Sequence, residues 1–219
     1  MKLSEQTVSI LKNFSAINQN ILVKEGSQLR TMSTMKNILG EAPITETFPR
    51  EFGIYDLNEF LGVLSLVKDA EVGFEDSHLT VNGGTTEIKY FYSDPSILTT
   101  PPETFNAPEC DVSFDIPGKV LSNVLKASSV MQLPDIVMSR VPMNIGRIGV
   151  VATDLKNTTS NNFREDLEVH GDPFEFRFKA DNLKMIPGDY NVQASTTAGV
   201  SNWVGNQASY WIAMEATTD

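Results

Sequence analysis

Hydrophobic and polar positions along the chain change period several times, and each change marks an element. Residues 52–67, FGIYDLNEFLGVLSLV, open on a short apolar run and then place Leu57, Phe60, Leu61, Leu64 and Val67 at three- and four-residue spacing, the period of a helix face. Asp56 and Glu59 form the start: the Asp oxygen accepts from an N–H of the first turn, and Glu59 lies near the positive end of the helix dipole. Val63 and Leu66 fall outside the stripe, and only Asn58, Glu59 and Ser65 are polar. Such a helix must be buried on more than one side or show water a nearly neutral face.

Two further helices are predicted from the same period. Near the N-terminus Val8, Leu11, Phe14 and Ile17 would face a core, with Lys2, Glu5, Ser9 and Lys12 opposite. After Pro117, which suits a first helical turn, Val120, Leu121, Val124 and Leu125 oppose Lys119, Ser122, Asn123, Lys126 and Ser129. Strand patterns fill the rest, at 28–34, 44–48, 51–55, 71–74, 78–81 and 87–92, and then at 111–115, 135–140, 147–152, 166–170, 174–179, 190–194 and 210–215.

The two series echo one another. Ile10-Leu11-Lys12 followed by Leu22-Val23 is matched 114 residues later by Val124-Leu125-Lys126 followed by Ile136-Val137. FGIYDL and FKADNL, each a strand running into an Asp cap and a helix start, place those caps, Asp56 and Asp181, 125 residues apart. The chain therefore divides into related halves, 1–95 and 111–219, joined by a proline-rich connector at 96–110. Its Ile97, Leu98 and Phe105 either pin it to a domain surface or border a groove for a partner peptide.

Composition narrows the class. With 219 residues, 41% hydrophobic and 21% charged, the chain has globular values, and no apolar run reaches the roughly 18 residues of a membrane span. The N-terminus MKLSEQT lacks the apolar core of a signal peptide, and the lone Cys110 agrees with a reducing compartment, so a cytoplasmic protein is expected. A net charge of −11 argues against nucleic acid only if the 17 basic residues are evenly spread. They could instead be gathered on one face: two helix faces are small, polar and lysine-bearing, which fits either ordinary amphipathic helices with solvated lysines or faces that lie along phosphates.

Candidate chemistry is sparse. The only histidines are His78 and His170, and there is no G-x-S-x-G, phosphate-cradling glycine loop or H-E-x-x-H. Asp166, Glu168, His170 and Asp172 would share one strand face, a hard-metal arrangement or simply a solvated face. Cys110 has no basic neighbour to activate it. No catalytic residue, metal or cofactor is expected.

Three blocks in order, MKLS with LKNFSAIN, IYDLNEFLGVLSLV (54–67) and NLKMIPGDY (182–190), resemble the sliding clamps, or DNA polymerase processivity factors, of T-even-type bacteriophages. That resemblance implies an α+β chain of two similar clamp domains, helices lining a hole and antiparallel sheets outside, in a trimeric six-domain ring. It implies double-stranded DNA encircled without regard to sequence, a DNA polymerase tethered by the ring, an ATP-driven clamp loader, two further copies of the chain, and no membrane. The setting would be the cytoplasm of an infected bacterial host. By the same resemblance Lys12, Lys119, Lys126 and Lys184, the last on a short helix in NLKMIPG, face DNA, with Lys2 a weaker member. A partner-peptide pocket falls near Ile97, Leu98, Trp211 and Met214, although Trp211 and Met214 also fit a core strand. The competing reading is an all-β structural virion or tail protein, for which many short strands suffice.

Overall fold

The computed structural model describes residues 1–141 and 146–216. The chain forms two compact units, Met1–Phe105 and Asn106–Asp219.

In the first unit α1 (Glu5–Ile17) starts at Ser4, whose hydroxyl accepts from the Thr7 N–H at 3.2 Å. Thr7, Ile10, Leu11, Phe14 and Ile17 are buried. Ile10, not the half-buried Val8, completes the stripe, which lies slightly rotated from the expected one. The helix ends at Asn18, whose buried amide donates to the Met32 carbonyl at 2.8 Å. There follow β1 (Ile21–Val23), β2 (Gly26–Met32), β3 (Ile38–Phe48), β4 (Phe52–Ile54), α2 (Leu57–Leu66), β5 (Glu71–Phe74), β6 (His78–Gly83) and β7 (Thr86–Phe91). Every pairing within the unit is antiparallel: β1 with β4, β2 with β3, and β5, β6 and β7 in sequence order.

Glu46, on β3, ties α1 to the strand. It accepts from the Ser4 N–H and from Thr7 Oγ1 at 2.6 Å, with Thr45 Oγ1 at 3.0 Å. Partial burial pushes the Glu46 carboxyl up, but these hydrogen bonds outweigh it and hold it at about 2.

Helix α2 resolves the question its sequence poses. Asp56 caps it, accepting from the Asn58 and Glu59 N–H groups at 3.0 Å each. Only Leu57 and Phe60 are buried within it, while Leu61, Val63 and Leu64 are half-buried and Leu66 is 75% exposed. The helix shows solvent a nearly neutral face. Tyr90 packs its ring 5.4 Å from Phe60 and donates to the Asp56 carbonyl at 3.2 Å. Its phenol is pushed up to about 12, by burial first and then by the charges of Glu59 and Asp56.

The second unit contains β8 (Val112–Ile116), α3 (Gly118–Met131), β9 (Asp135–Arg140), β10 (Ile148–Thr153), β11 (Phe163–Leu167), β12 (Phe174–Lys179), β13 (Tyr190–Ser195), β14 (Val200–Gly205) and β15 (Ser209–Ala213). One antiparallel sheet runs β11-β10-β9-β12 and another β8-β13-β14-β15. Trp203, Tyr190, Tyr210 and Phe178 meet edge-on as its aromatic core.

Three local expectations change here. Strand β14 has no counterpart in the sequence reading because its inward positions include a serine. Ser201 is fully buried, donating to the Ile212 carbonyl at 3.1 Å and accepting from Trp203 Nε1 at 2.9 Å. The strand expected over 166–170 ends at Leu167, where the Val169 N–H turns back onto the Leu167 carbonyl at 3.1 Å. Buried Arg140 fixes that departure: it donates to the carbonyls of Val169 (3.1 Å) and Asp172 (3.0 Å) and lies 5.2 Å over the Phe174 ring. The helix expected in NLKMIPG is absent; a single 3-10 turn, Ala180–Asn182, precedes an extended segment. Asp181 lies inside that turn, exposed, and caps nothing.

Two outcomes follow from this packing. Phe60→Ala should destabilise the fold by about 3–5 kcal/mol, whereas Leu66→Gln should change it by less than about 0.5 kcal/mol, both read by chemical denaturation. Glu46 has a depressed folded pKa, so its stabilisation is present above its ordinary value of 4.5 and is lost as pH falls from there through about 2. Melting curves across that window should show the acid-induced loss shrinking in Glu46→Gln, which has no carboxylate to titrate.

Candidate nucleic-acid interface

The helices set where the cations go. On α1, burial of Ile10 and Phe14 turns Lys12 outward, above a shallow depression formed by Leu3, Glu5, Val8 and Ser9. On α3, burial of Leu121 and Val124 turns Lys119 and Lys126 outward, seven residues and so about two turns apart. Among the described residues none of these three ammonium groups makes an ion pair. Helix α3 contains no acidic residue at all, so its solvent face is purely cationic in a chain of net charge −11. Asn123 does not belong to that face, because its amide donates to Glu165 Oε1 on β11 at 2.8 Å.

Lys184 is exposed on the extended segment, between buried Leu183 and Ile186. Lys2 differs. Its ammonium binds Asp69 Oδ1 at 2.7 Å, a hydrogen bond that raises the lysine pKa and lowers that of the aspartate. Both partners are solvated, so the pair adds little stability, but it locally cancels the charge.

The residues expected around a peptide pocket lie in different settings. Ile97 ends a short turn, Pro95–Ile97, capped by Asp94, and is 60% exposed. Leu98 is buried, its side chain lying where a Cβ on Gly53 would stand, at 2.7 Å, and the Ser93 N–H donates to the Gly53 carbonyl at 3.0 Å. In the second unit Trp211 is half-buried on β15 opposite Asn202. Met214 donates its N–H to the Gly199 carbonyl at 2.8 Å and, with Phe176 and Arg177, borders a cleft of about 390 Å³.

The acidic run does not assemble. Asp166 pairs with Arg164 at 2.8 Å and Glu168 with Arg147 at 3.5 Å, and no cluster of metal-ligating side chains occurs among the described residues. Burial, with Asp111 nearby, pushes the Cys110 thiol up, away from the thiolate form a nucleophile needs.

What the sequence did not assign is which sheet edges stay open. The outer edge of β5 is taken by the N-terminus, where Met1 and Val72 exchange hydrogen bonds at 2.8 and 2.7 Å. That of β12 is covered by the Glu215 N–H on the Arg177 carbonyl at 2.8 Å. At the opposite edges of these two sheets, β7 and β11 have no outer backbone partner among the described residues.

Residues 2–98 match the DNA polymerase processivity factor family, and residues 113–216 match the C-terminal domain described as the gp45 sliding clamp. Over 99% of its length the chain is 36% identical to the sliding clamp of Vibrio phage KVP40, covering 100% of that relative. The chain belongs to the sliding-clamp family. It is also 31% identical to the sliding clamp of Enterobacteria phage T4, over 99% of this chain and 97% of that one. Among solved structures, A. fulgidus PCNA with the C-terminal region of FEN-1 bound shares the fold at a TM-score of 0.72 and 16% identity, over 100% and 98% of the two chains. A putative DNA polymerase III β subunit from Eubacterium rectale matches at 0.72 and 12% identity, and there the clamp chain, 98% covered, spans only 62% of its neighbour. The family is that of processivity factors in phage DNA replication, and helices α1, α2 and α3 packed with antiparallel sheets give its two-domain α+β clamp fold. The all-β virion reading is set aside.

Proposed function

We propose that three copies of the chain close into a six-domain ring around duplex DNA, with α1 and α3 lining the hole. The observation that carries this reading is the paired placement of Lys12 and Lys126 on the outward faces of two amphipathic helices, one per unit. Lys119 and Lys184 complete the cationic surface, and Lys2, held by Asp69, contributes least. Contacts of this kind reach only phosphates, so they carry no sequence information, and being few they hold the duplex weakly. Such a ring slides while its closure prevents escape.

The connector, 96–110, joins halves 1–95 and 111–219. Ring closure uses the uncovered edges: β7 of one copy adds to β11 of the next, a head-to-tail contact that closes after three copies. Both edges are mixed in charge, with Glu87 and Lys89 exposed on β7 and Arg164 and Asp166 on β11. The ring tethers the phage DNA polymerase and is opened by an ATP-driven loader, in the cytoplasm of the infected host. Ile97 in the first unit, and Trp211 and Met214 in the second, are the candidates for receiving an apolar partner peptide; buried Leu98 supports Ile97 from behind. The clamp of the same fold bound to the C-terminal region of FEN-1 supports peptide docking. The chain itself needs no cofactor, metal or catalytic step.

Light scattering on a sizing column should give three times the chain mass of 24.2 kDa, and Phe91→Asp, at the 66%-exposed end of β7, should shift the mass toward the monomer. A persistent monomer of the unaltered chain at micromolar concentration would overturn the ring. Changing Lys12, Lys119 and Lys126 together to Glu should abolish stimulation of polymerase on long primed templates while leaving the assembled mass unchanged. Undiminished stimulation would remove these lysines from the DNA path.

A further inference from the structure

Two strand edges can join only in certain registers, and at β7 and β11 the backbone narrows the choice first. In an antiparallel pair, opposite residues alternate between those that exchange hydrogen bonds and those that do not. The Tyr92 N–H donates to the Ser77 carbonyl at 3.0 Å, and His78 stands opposite Phe91. Ile88 and Tyr90 therefore bond inward to β6, while Glu87, Lys89 and Phe91 turn their N–H and C=O groups to the open edge. The other sheet alternates in the same way. The Ala180 N–H donates to the Pro134 carbonyl at 2.9 Å, which commits Ile136 and Met138 to β12, Val137 and Ser139 to β10, and in turn Ile148, Val150 and Ala152 to β11. Phe163, Glu165 and Leu167 are then bonded inward, and Arg164 and Asp166 present their backbone groups outward.

An antiparallel junction sets outward residues opposite one another. Glu87, Lys89 and Phe91 then share a face with Arg164 and Asp166, and Ile88 and Tyr90 share the other with Glu165 and Leu167. This parity also places helices. Tyr90 packs on Phe60 of α2 and Glu165 accepts from Asn123 of α3, so α2 of one copy and α3 of the next fall on the same side of the joined sheet.

Charge selects among the registers that remain. With Lys89 opposite Arg164, Glu87 meets Asp166, and both pairs repel. A slide of two residues sets Lys89 opposite Asp166, Ile88 opposite Leu167, Tyr90 opposite Glu165 and Phe91 opposite Arg164. All of 88–91 is then matched by 164–167 with no like charges. A further slide in that direction matches only Tyr90 and Phe91; a slide the other way pairs Glu87 with Arg164 but leaves Lys89, Tyr90 and Phe91 without a strand opposite. The side chains suit the selected register. Lys89 is exposed and makes no ion pair among the described residues. Arg164 holds Asp166 at 2.8 Å from the β10 side, its guanidinium lying where a Cβ on Gly149 would stand, which leaves the open edge to an incoming cation.

We propose that β7 of one copy joins β11 of a second copy in this single register, with Lys89 and Asp166 as the pair that rejects its neighbours. The proposal rests on the ring reading and adds to it which residues meet.

The test uses the full chain carrying Cys110→Ser, which removes the one native thiol. Lys89→Cys together with Asp166→Cys should oxidise to covalent multimers on a non-reducing gel, because opposite residues of a bonded pair have Cα atoms about 5.5 Å apart. Lys89→Cys with Arg164→Cys reports the neighbouring register and should remain largely uncrosslinked. Charge reversal needs no thiol. Lys89→Glu should raise the concentration at which the assembly dissociates, read by light scattering on dilution, by about tenfold, since the altered pair recurs at every interface. Adding Asp166→Lys should return it to within about threefold of the unaltered chain, with thermal melting confirming that each variant keeps its fold. In the neighbouring register Lys89→Glu would face Arg164 and tighten the assembly. That result, a folded double variant that regains nothing, or cross-linking that favours Arg164→Cys would overturn the register while the ring stands. An assembled trimer in which neither thiol pair cross-links would overturn the junction of β7 with β11, and an unaltered chain that stays monomeric would overturn the ring itself.

Discussion

Once the apolar stripe of a helix is buried, the helix has only one rotational setting left. Ile10 and Val124 occupy equivalent places in the two halves, and neither retains any exposed surface. A position two residues further on lies roughly 200° around the helix axis, so Lys12 and Lys126 are driven outward by the burial of their neighbours. No attraction between lysine and anything else in the chain is needed to place them. Hydrophobic packing against the sheets does the orienting, and the cationic face follows from it. The Ser4 and Glu46 cap fixes the same rotation at the start of α1, where fewer apolar contacts are available.

The same mechanism explains how much was legible beforehand. Helices α1, α2 and α3, and strands such as β5 and β12, could be read because their inward positions are apolar at a constant period. β14 could not, because its inward Ser201 is satisfied by partners on β15 and on its own strand, which no local pattern reveals. The turn after β11 was misread for a related reason: DLEVHGD alternates well enough for a strand, but Arg140, from β9, captures its carbonyls and bends it away. Long-range partners decided both cases. Lysines on helix faces could be named from sequence, whereas the ion pair that cancels Lys2 needed Asp69, distant in the chain.

The halves, alike in their first helices, differ in electrostatics at their second. Where the first unit presents α2, whose exposed residues are Asn58, Glu59, Gly62, Ser65 and Leu66 with one acid and no base, the second presents an extended segment carrying Lys184. In a ring the field inside the hole would therefore alternate, nearly neutral beside α2 and cationic beside α3. A polyanion threading such a surface meets no continuous cationic track, and alternation of this kind lowers the barrier to moving from one set of contacts to the next.

In the proposed ring, residence on DNA would not be set by the lysines. Each phosphate contact adds a modest, salt-sensitive increment, and α1 and α3 offer only three lysines per chain without an internal ion partner among the described residues. Their number is small enough for sliding and too small for a stable complex on their own. In the proposed ring, closure would hold the protein on its duplex, and it would use the outer edges of β7 and β11, which have no outer backbone partner among the described residues while Met1 covers β5 and Glu215 covers β12. Salt acts on the two components differently: backbone hydrogen bonds at a sheet edge are little screened, whereas phosphate contacts are released as counterions return. On the ring proposal a closed ring should therefore stay threaded at ionic strengths where an opened one dissociates, with the strand edges, not the cationic helices, carrying the lifetime of the complex.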